Sequence, residues 1–318
     1  MRRRRSPVLR TCGRARPPEH GAGHGRAAAG VWVGDGPVNP LDLLSNHTYS
    51  MTLIGSVVVG AVAGALGVFT YVRRESLIAD VVAHASLPGA LGAFIVAGLL
   101  GLDGRSLPVI LLGASLSGVL AVGLTRAIVS ISPLSPDVSM AVSLSLFFGA
   151  GMMGLDAIAS RGVAHSAGLS GLLLGNAATL TVLDVATLCV VGCLVLVVLS
   201  LLLKEFTLLS FDPQGARLAG LPVRALSVCL LGSIVVATVI GVKTVGLVLM
   251  VSLVVAPAAI ARQFARSVRS MVMLAGALGA AVSGLGVYVS IGVWQLPTGP
   301  VIVVILSLLA LVSVVVKR

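Results

Sequence analysis

Asp80 and His84 stand four positions apart in the run DVVAHASLPG, residues 80–89, within a chain that otherwise reads almost entirely as lipid-soluble. Four positions is one helical turn, so a carboxylate and an imidazole share one helix face and can grip a single divalent cation. Ionisable side chains inside membrane spans are costly and mark pathways, so this pair is where a transported ion is expected to touch the chain. Taken singly, His84 reads as a satisfied interior histidine and Asp80 as a helix-start charge beside Arg73 and Arg74. Together, and followed by Pro88 and Gly89, which are expected to break or kink the helix, they favour a pathway. Two ligands do not complete a transition-metal site. Water, carbonyls freed near Pro88 or a second helix could supply the rest.

The elements that must hold this pair follow from composition. Of the 318 residues 57% are apolar and 10% are charged, and an apolar run of about 20 residues crosses a hydrocarbon core of roughly 30 Å. Nine runs qualify: 51–72, 84–102, 107–129, 138–158, 185–203, 225–242, 244–261, 271–293 and 299–316. The period-2 alternation of a lipid-facing barrel is absent. The expected fold is therefore an all-α integral membrane protein, a polytopic bundle of about eight or nine transmembrane helices, with no soluble domain left over. The 38 glycines, Gly60, Gly64 and Gly67 among them, suit close helix packing where lipid offers no hydrophobic drive.

The formal charge of +11 owes much to one place, since eight of the 22 basic residues are Arg within the first 26 positions. Residues 1–37 are expected to be a disordered extension or the product of a misassigned start, and 38–318 the transmembrane domain. The remaining bases segregate. Arg73, Arg74, Arg126, Lys204, Arg217, Arg224, Arg262, Arg266, Arg269, Lys317 and Arg318 follow odd-numbered spans, whereas Arg105, Arg161 and Lys243 follow even ones. The positive-inside rule then puts the C-terminus in the cytoplasm and the start of the first span outside. Asp156 and His165, near the outer end of the fourth span and in the loop after it, read as solvated. Cys189, Cys193 and Cys229 lie in apolar spans and read as small core hydrophobes. Pro257, in the seventh span, removes a backbone hydrogen bond and permits a bend.

The longest interior loop, 204–222, contains FDPQGARLAGLP. Asp212 is expected to N-cap a short helix with Pro213 as its first residue, Gly220 to stop it and Pro222 to prevent its continuation. Ala216, Leu218, Ala219 and Leu221 would form a small apolar surface fit for a groove on a soluble partner.

These stretches resemble the membrane permeases of ATP-binding-cassette importers for manganese, zinc and iron. The resemblance runs from about Asn39 to Val316 and rests on VRRESLIADVVAHASLPG (72–89), AGLSGLLLGNAATLTVLDV (167–185), FDPQGARLAGLP (211–222), VGLVLMVSLVVAPAAIA (245–261) and LPTGP (296–300). It implies a type II importer-like permease in a bacterial cytoplasmic membrane. Asp80 and His84 would line the metal path, shaped by Pro88, Gly89 and Pro257. Phe211, Asp212, Ala216, Gly220 and Pro222 would belong to the coupling helix that meets the ATPase. It further implies a cytoplasmic ATPase subunit, an extracytoplasmic metal-binding lipoprotein, a second permease copy or related chain, and a divalent metal ion as cargo with no permanently bound cofactor. The wording of 204–222 and of VGLVLM is closer to manganese or iron branches than to zinc branches. Where that family commonly carries Gly and Ser before the two ligands, this chain has Ala79 and Ala83.

Three alternatives lose ground on motifs. No G-x-x-x-x-G-K-[ST] phosphate loop occurs, so ATP hydrolysis is expected of a separate subunit. An ion-coupled secondary transporter needs coupling carboxylates deep in the membrane, and mid-span acids are nearly absent. An intramembrane metalloprotease needs H-E-x-x-H. Nucleic acid is not an expected partner.

Overall fold

The computed structural model describes residues 47–101, 107–160, 182–291 and 297–317, and among them every regular element is helical. Nine long helices are apolar enough to cross a membrane: α1 (His47–Val72), α2 (Ile78–Leu99), α3 (Leu107–Ile131), α4 (Pro136–Ser160), α5 (Val182–Leu201), α8 (Val223–Val245), α9 (Leu247–Phe264), α10 (Val268–Val289) and α11 (Thr298–Val316). Two short ones, α6 (Leu203–Phe211) and α7 (Pro213–Leu218), fill the connection between α5 and α8. The extension 1–37, Arg105, Arg161, His165 and Arg318 lie outside the described residues.

Each expected span has its helix, with several ends displaced by a few residues. The second begins at Ile78 and not at residue 84, so Asp80 sits in the first turn of α2. The helix N-terminus carries a partial positive charge, which makes a first-turn carboxylate favourable where a hydropathy window sees only polarity. The sixth runs on to Val245, which puts Lys243 in the last turn of α8 rather than in a loop. Here the partial negative charge of the helix C-terminus receives the ammonium. The break between α8 and α9 is the single residue Gly246, at φ 88° and ψ 165°. That backbone conformation is essentially confined to glycine, so one residue suffices to reverse the chain.

Lipid does not push helices together, and the closest backbone approaches are made at small residues. The most deeply buried span, α1, packs along α10, α9, α5 and α8. A Cβ added to Gly60 would collide with the Gly279 carbonyl of α10, and one on Gly64 with the Ala275 carbonyl, so the two backbones touch there. A second group forms where α2 packs against α3, α4 and α8, and Thr125 of α3 donates to Ser143 Oγ of α4 at 2.9 Å.

Apart from Lys243, the basic side chains of the described residues all fall at one end of the bundle. There the link from α1 to α2 is a Schellman turn: the Glu75 amide donates to the Thr70 carbonyl at 2.8 Å and the Arg74 amide to Tyr71 at 3.1 Å. Arg74 takes the left-handed position at φ 56°, where glycine is usual. Glu75 then joins Arg126 of α3 at 2.8 Å and Arg73 at 3.7 Å. Burial pushes the Arg73 guanidinium below its ordinary pKa, Glu75 opposes that, and Arg126 adds to it.

Candidate functional site

Asp80 and His84 lie where the reading of the sequence puts them, one turn apart on α2. Asp80 Oδ1 and His84 Nε2 are 3.4 Å apart, and their side chains are 24% and 18% exposed. That separation has chemical content. Two donors each about 2.1 Å from one ion at a tetrahedral angle stand roughly 3.4 Å apart, so the separation matches that of two ligands sharing one cation. The imidazole is held on its other side. Phe148 of α4 meets it edge-to-face, with ring centroids 4.9 Å apart and planes at 81°. Nδ1 is buried with no hydrogen-bond partner among the described residues. This leaves Nε2, facing Asp80, as the nitrogen placed to take a ligand.

No cluster of three or more His, Cys, Asp or Glu side chains fit for a metal occurs among the described residues. The described residues thus offer two side-chain ligands at this place. Pro88 adds a backbone candidate, because a proline within a helix leaves the carbonyl four residues earlier, that of His84, without its donor. Of the break or kink expected at Pro88 and Gly89, a break does not occur: α2 runs through both to Leu99. Its packing accommodates them, with Gly89 against the Gly113 carbonyl of α3 and Gly151 of α4 beside the Pro88 ring. Likewise α9 continues through Pro257, which is buried, and the carbonyl left without a helical donor is that of Leu253. Ala79 and Ala83 belong to a core group with Leu253 and Val254. Asp156 is exposed at the far end of α4.

At the basic end, α7 has the ends its sequence implies. Asp212 Oδ1 accepts from the Gly215 amide at 2.8 Å, with Pro213 as the first helical residue. Gly220, at φ 74°, closes a Schellman turn in which the Leu221 amide donates to Ala216 and that of Gly220 to Arg217. The expected apolar surface is divided, however. Ala216 is fully buried and Leu221 packs partly onto the core, whereas Leu218 is 90% and Phe211 64% exposed. A six-residue helix seated on the bundle must turn one side inward, and Ala216 is that side. Residues 204–211, read as part of the interior loop, belong to α6, whose Phe206 is fully buried and meets Phe69 of α1 edge-on at 5.9 Å.

Sequence reasoning missed Phe148, which is 64 positions from His84 and carries no motif of its own. It also missed an ion pair at the end opposite the basic one, where Lys243 Nζ of α8 lies 2.8 Å from Asp184 Oδ1 of α5. Part of the signal was available: a base and an acid, each at a helix end where it suits the dipole.

Nine apolar helices, a carboxylate and imidazole pair inside one of them, and a capped helix projecting at the basic end define a multi-pass membrane protein of the transporter-permease class. The chain belongs to the ABC 3 transport family, whose model matches residues 46–317. It is 35% identical over 272 residues to the manganese transport system membrane protein MntC of Bacillus subtilis, covering 86% of this chain and 61% of that one. Against the zinc transport system membrane protein TroC of Treponema pallidum the identity is also 35%, over 86% of this chain and 90% of the relative. Among solved structures it resembles PsaBC from Streptococcus pneumoniae in complex with Fab, with a TM-score of 0.73 and 29% identity over 86% of this chain and 93% of that one.

Proposed function

We propose that this chain is the permease subunit of an ATP-driven importer that carries divalent metal ions, manganese foremost, across a bacterial cytoplasmic membrane. The observation that carries the reading is the Asp80 and His84 pair, set 3.4 Å apart on a membrane-spanning helix and only partly exposed. Membership of the family and relatives named for manganese and zinc support the cargo class.

In this mechanism the basic end faces the cytoplasm, in keeping with the positive-inside rule. Two permease copies, identical or related, face each other across the path. Each contributes its carboxylate and imidazole, so that a two-ligand half-site in one chain becomes a fuller one between two. The ion is held loosely enough to leave. ATP is hydrolysed on a separate cytoplasmic subunit, which docks on Phe211, Leu218 and the capped turn that Asp212, Gly220 and Pro222 maintain, while Ala216 anchors that turn to the bundle. Nucleotide binding and hydrolysis alternate the access of the path, and an extracytoplasmic metal-binding lipoprotein delivers the ion. No group is permanently bound; the metal is cargo.

A zinc-selective importer is the second reading, favoured by the Treponema relative's name and by donors that suit manganese, iron and zinc alike. The test is uptake of radioactive manganese into vesicles holding the chain with its ATPase, with zinc and iron as competitors, for wild type and His84→Ala. ATP-dependent uptake abolished by the substitution is expected, and the competition order names the ion. Uptake retained by His84→Ala refutes the site, and uptake without ATP moves the protein to the secondary transporters.

A further inference from the structure

Among the described residues Lys243 is the one basic side chain at the end opposite the basic one, outermost in the reading above. An ammonium there is an obstacle to a cation importer, since it repels each ion approaching that mouth. Its position sharpens the difficulty. Lys243 lines a small cavity of about 20 Å³ between α2, the helix that carries the metal pair, and α3, with Ser86 and Ala90 of the one and Ile110 and Ala114 of the other. Charges in such a poorly polarisable interior act over long distances. The structure also contains a remedy: Asp184, in the first turn of α5, holds the ammonium at 2.8 Å, with side-chain exposures of 13% for the acid and 25% for the base.

We propose that Asp184 is the counter-charge that masks Lys243, so that a divalent cation can pass along α2 without meeting a bare ammonium. The proposal rests on the cation-importer reading. It assigns Asp184 a positioning and electrostatic role with no contact to the ion. A purely structural role would give the same distance, because each residue also suits the dipole of its own helix end and the pair ties α5 to α8. The two roles separate in kinetics. Masking acts on capture of the ion, hence on KM and on its dependence on salt, whereas a lost tie reduces the amount of folded transporter and so the maximal rate.

The experiment uses the assembled transporter in vesicles, with radioactive manganese as probe and rates normalised to folded protein. Wild type, Asp184→Asn, Lys243→Met and the double variant are compared at low and high ionic strength. Asp184→Asn is expected to raise KM roughly tenfold, the order expected for one uncompensated charge acting on a divalent ion, less at high salt, with the maximal rate per folded transporter unchanged. The double variant is expected to restore KM. Lys243→Met alone is expected not to raise it, because the repelling ammonium is gone; this variant carries the test should Asp184→Asn not fold. A double variant that keeps the raised KM makes Asp184 a direct contact of the ion and overturns the proposal. So does a raised KM in Lys243→Met, or an Asp184→Asn that changes only yield or maximal rate. Wild type without ATP-dependent uptake removes the importer reading itself, and with it the proposal.

Discussion

Replacing Gly60 with alanine isolates the packing principle on which the bundle depends. A Cβ there lands on the Gly279 carbonyl and on the Ser283 hydroxyl of α10, atoms of which the first is backbone and cannot rotate away. A carbon and an oxygen in contact need about 3.3 Å, so α1 and α10 must part by about 1 Å. A gap of that size forfeits a quarter to a half of the dispersion between the atoms lining it, and overpacking of this kind costs about 1–3 kcal/mol. Alanine recovers about 1 kcal/mol over glycine in helix propensity, which leaves a net loss of up to about 2 kcal/mol. The control is Gly232→Ala in α8, where nothing lies within 4 Å of an added Cβ; the same propensity makes that variant neutral or slightly stabilised. Melting of the detergent-solubilised protein, followed by fluorescence-detected size exclusion, should place Gly60→Ala several degrees below wild type and Gly232→Ala at or above it. The reasoning is refuted if the two variants melt together.

Two further outcomes are expected. Leu218→Glu, at a position 90% exposed, should leave melting unchanged yet reduce co-purification of the ATPase subunit at least tenfold, as the loss of an apolar anchor at an interface centre implies; undiminished co-purification would move the docking surface elsewhere. Gly246→Ala, forced into φ 88° and ψ 165°, should cost about 1–3 kcal/mol of backbone strain, and a melting temperature equal to wild type would mean that the link between α8 and α9 has another conformation.

The bundle was legible because burial in lipid is a one-dimensional problem: a run long and apolar enough to cross is a helix, whatever lies beside it. At three of the places where the reading slipped, the starts of α2 and α5 and the end of α8, a charged or polar residue had been taken as the limit of a span. Asp80, Asp184 and Lys243 are all helical, each at the end whose dipole favours its sign. In α6, Lys204 and Glu205 likewise disguised a helix whose Phe206 and Leu209 are buried. The caps of α7 were readable since Asp212, Pro213 and Gly220 act on the backbone within a few residues of themselves.

Lateral contacts were not readable, and lipid itself is the reason. In water an amphipathic face announces which side of a helix meets the core; in a membrane the lipid-facing side is as apolar as the buried one, so Leu and Val mark neither. What distinguishes the faces is smallness, as at Gly60 and Gly279, and smallness does not name its partner. The metal pair escaped this limit because both ligands are on one helix at one turn's spacing. Phe148 did not, since its place over His84 depends on the register of α4 along α2, set by Gly151 against Leu87 and Gly154 against Leu91. That Lys243 finds an acid could have been inferred without any register; that the acid is Asp184 and not Asp156 of the same end could not. Two opposite charges at the same end of an apolar bundle each incur a large cost alone, and a single contact removes both costs, so the surrounding helices are expected to arrange themselves to make it.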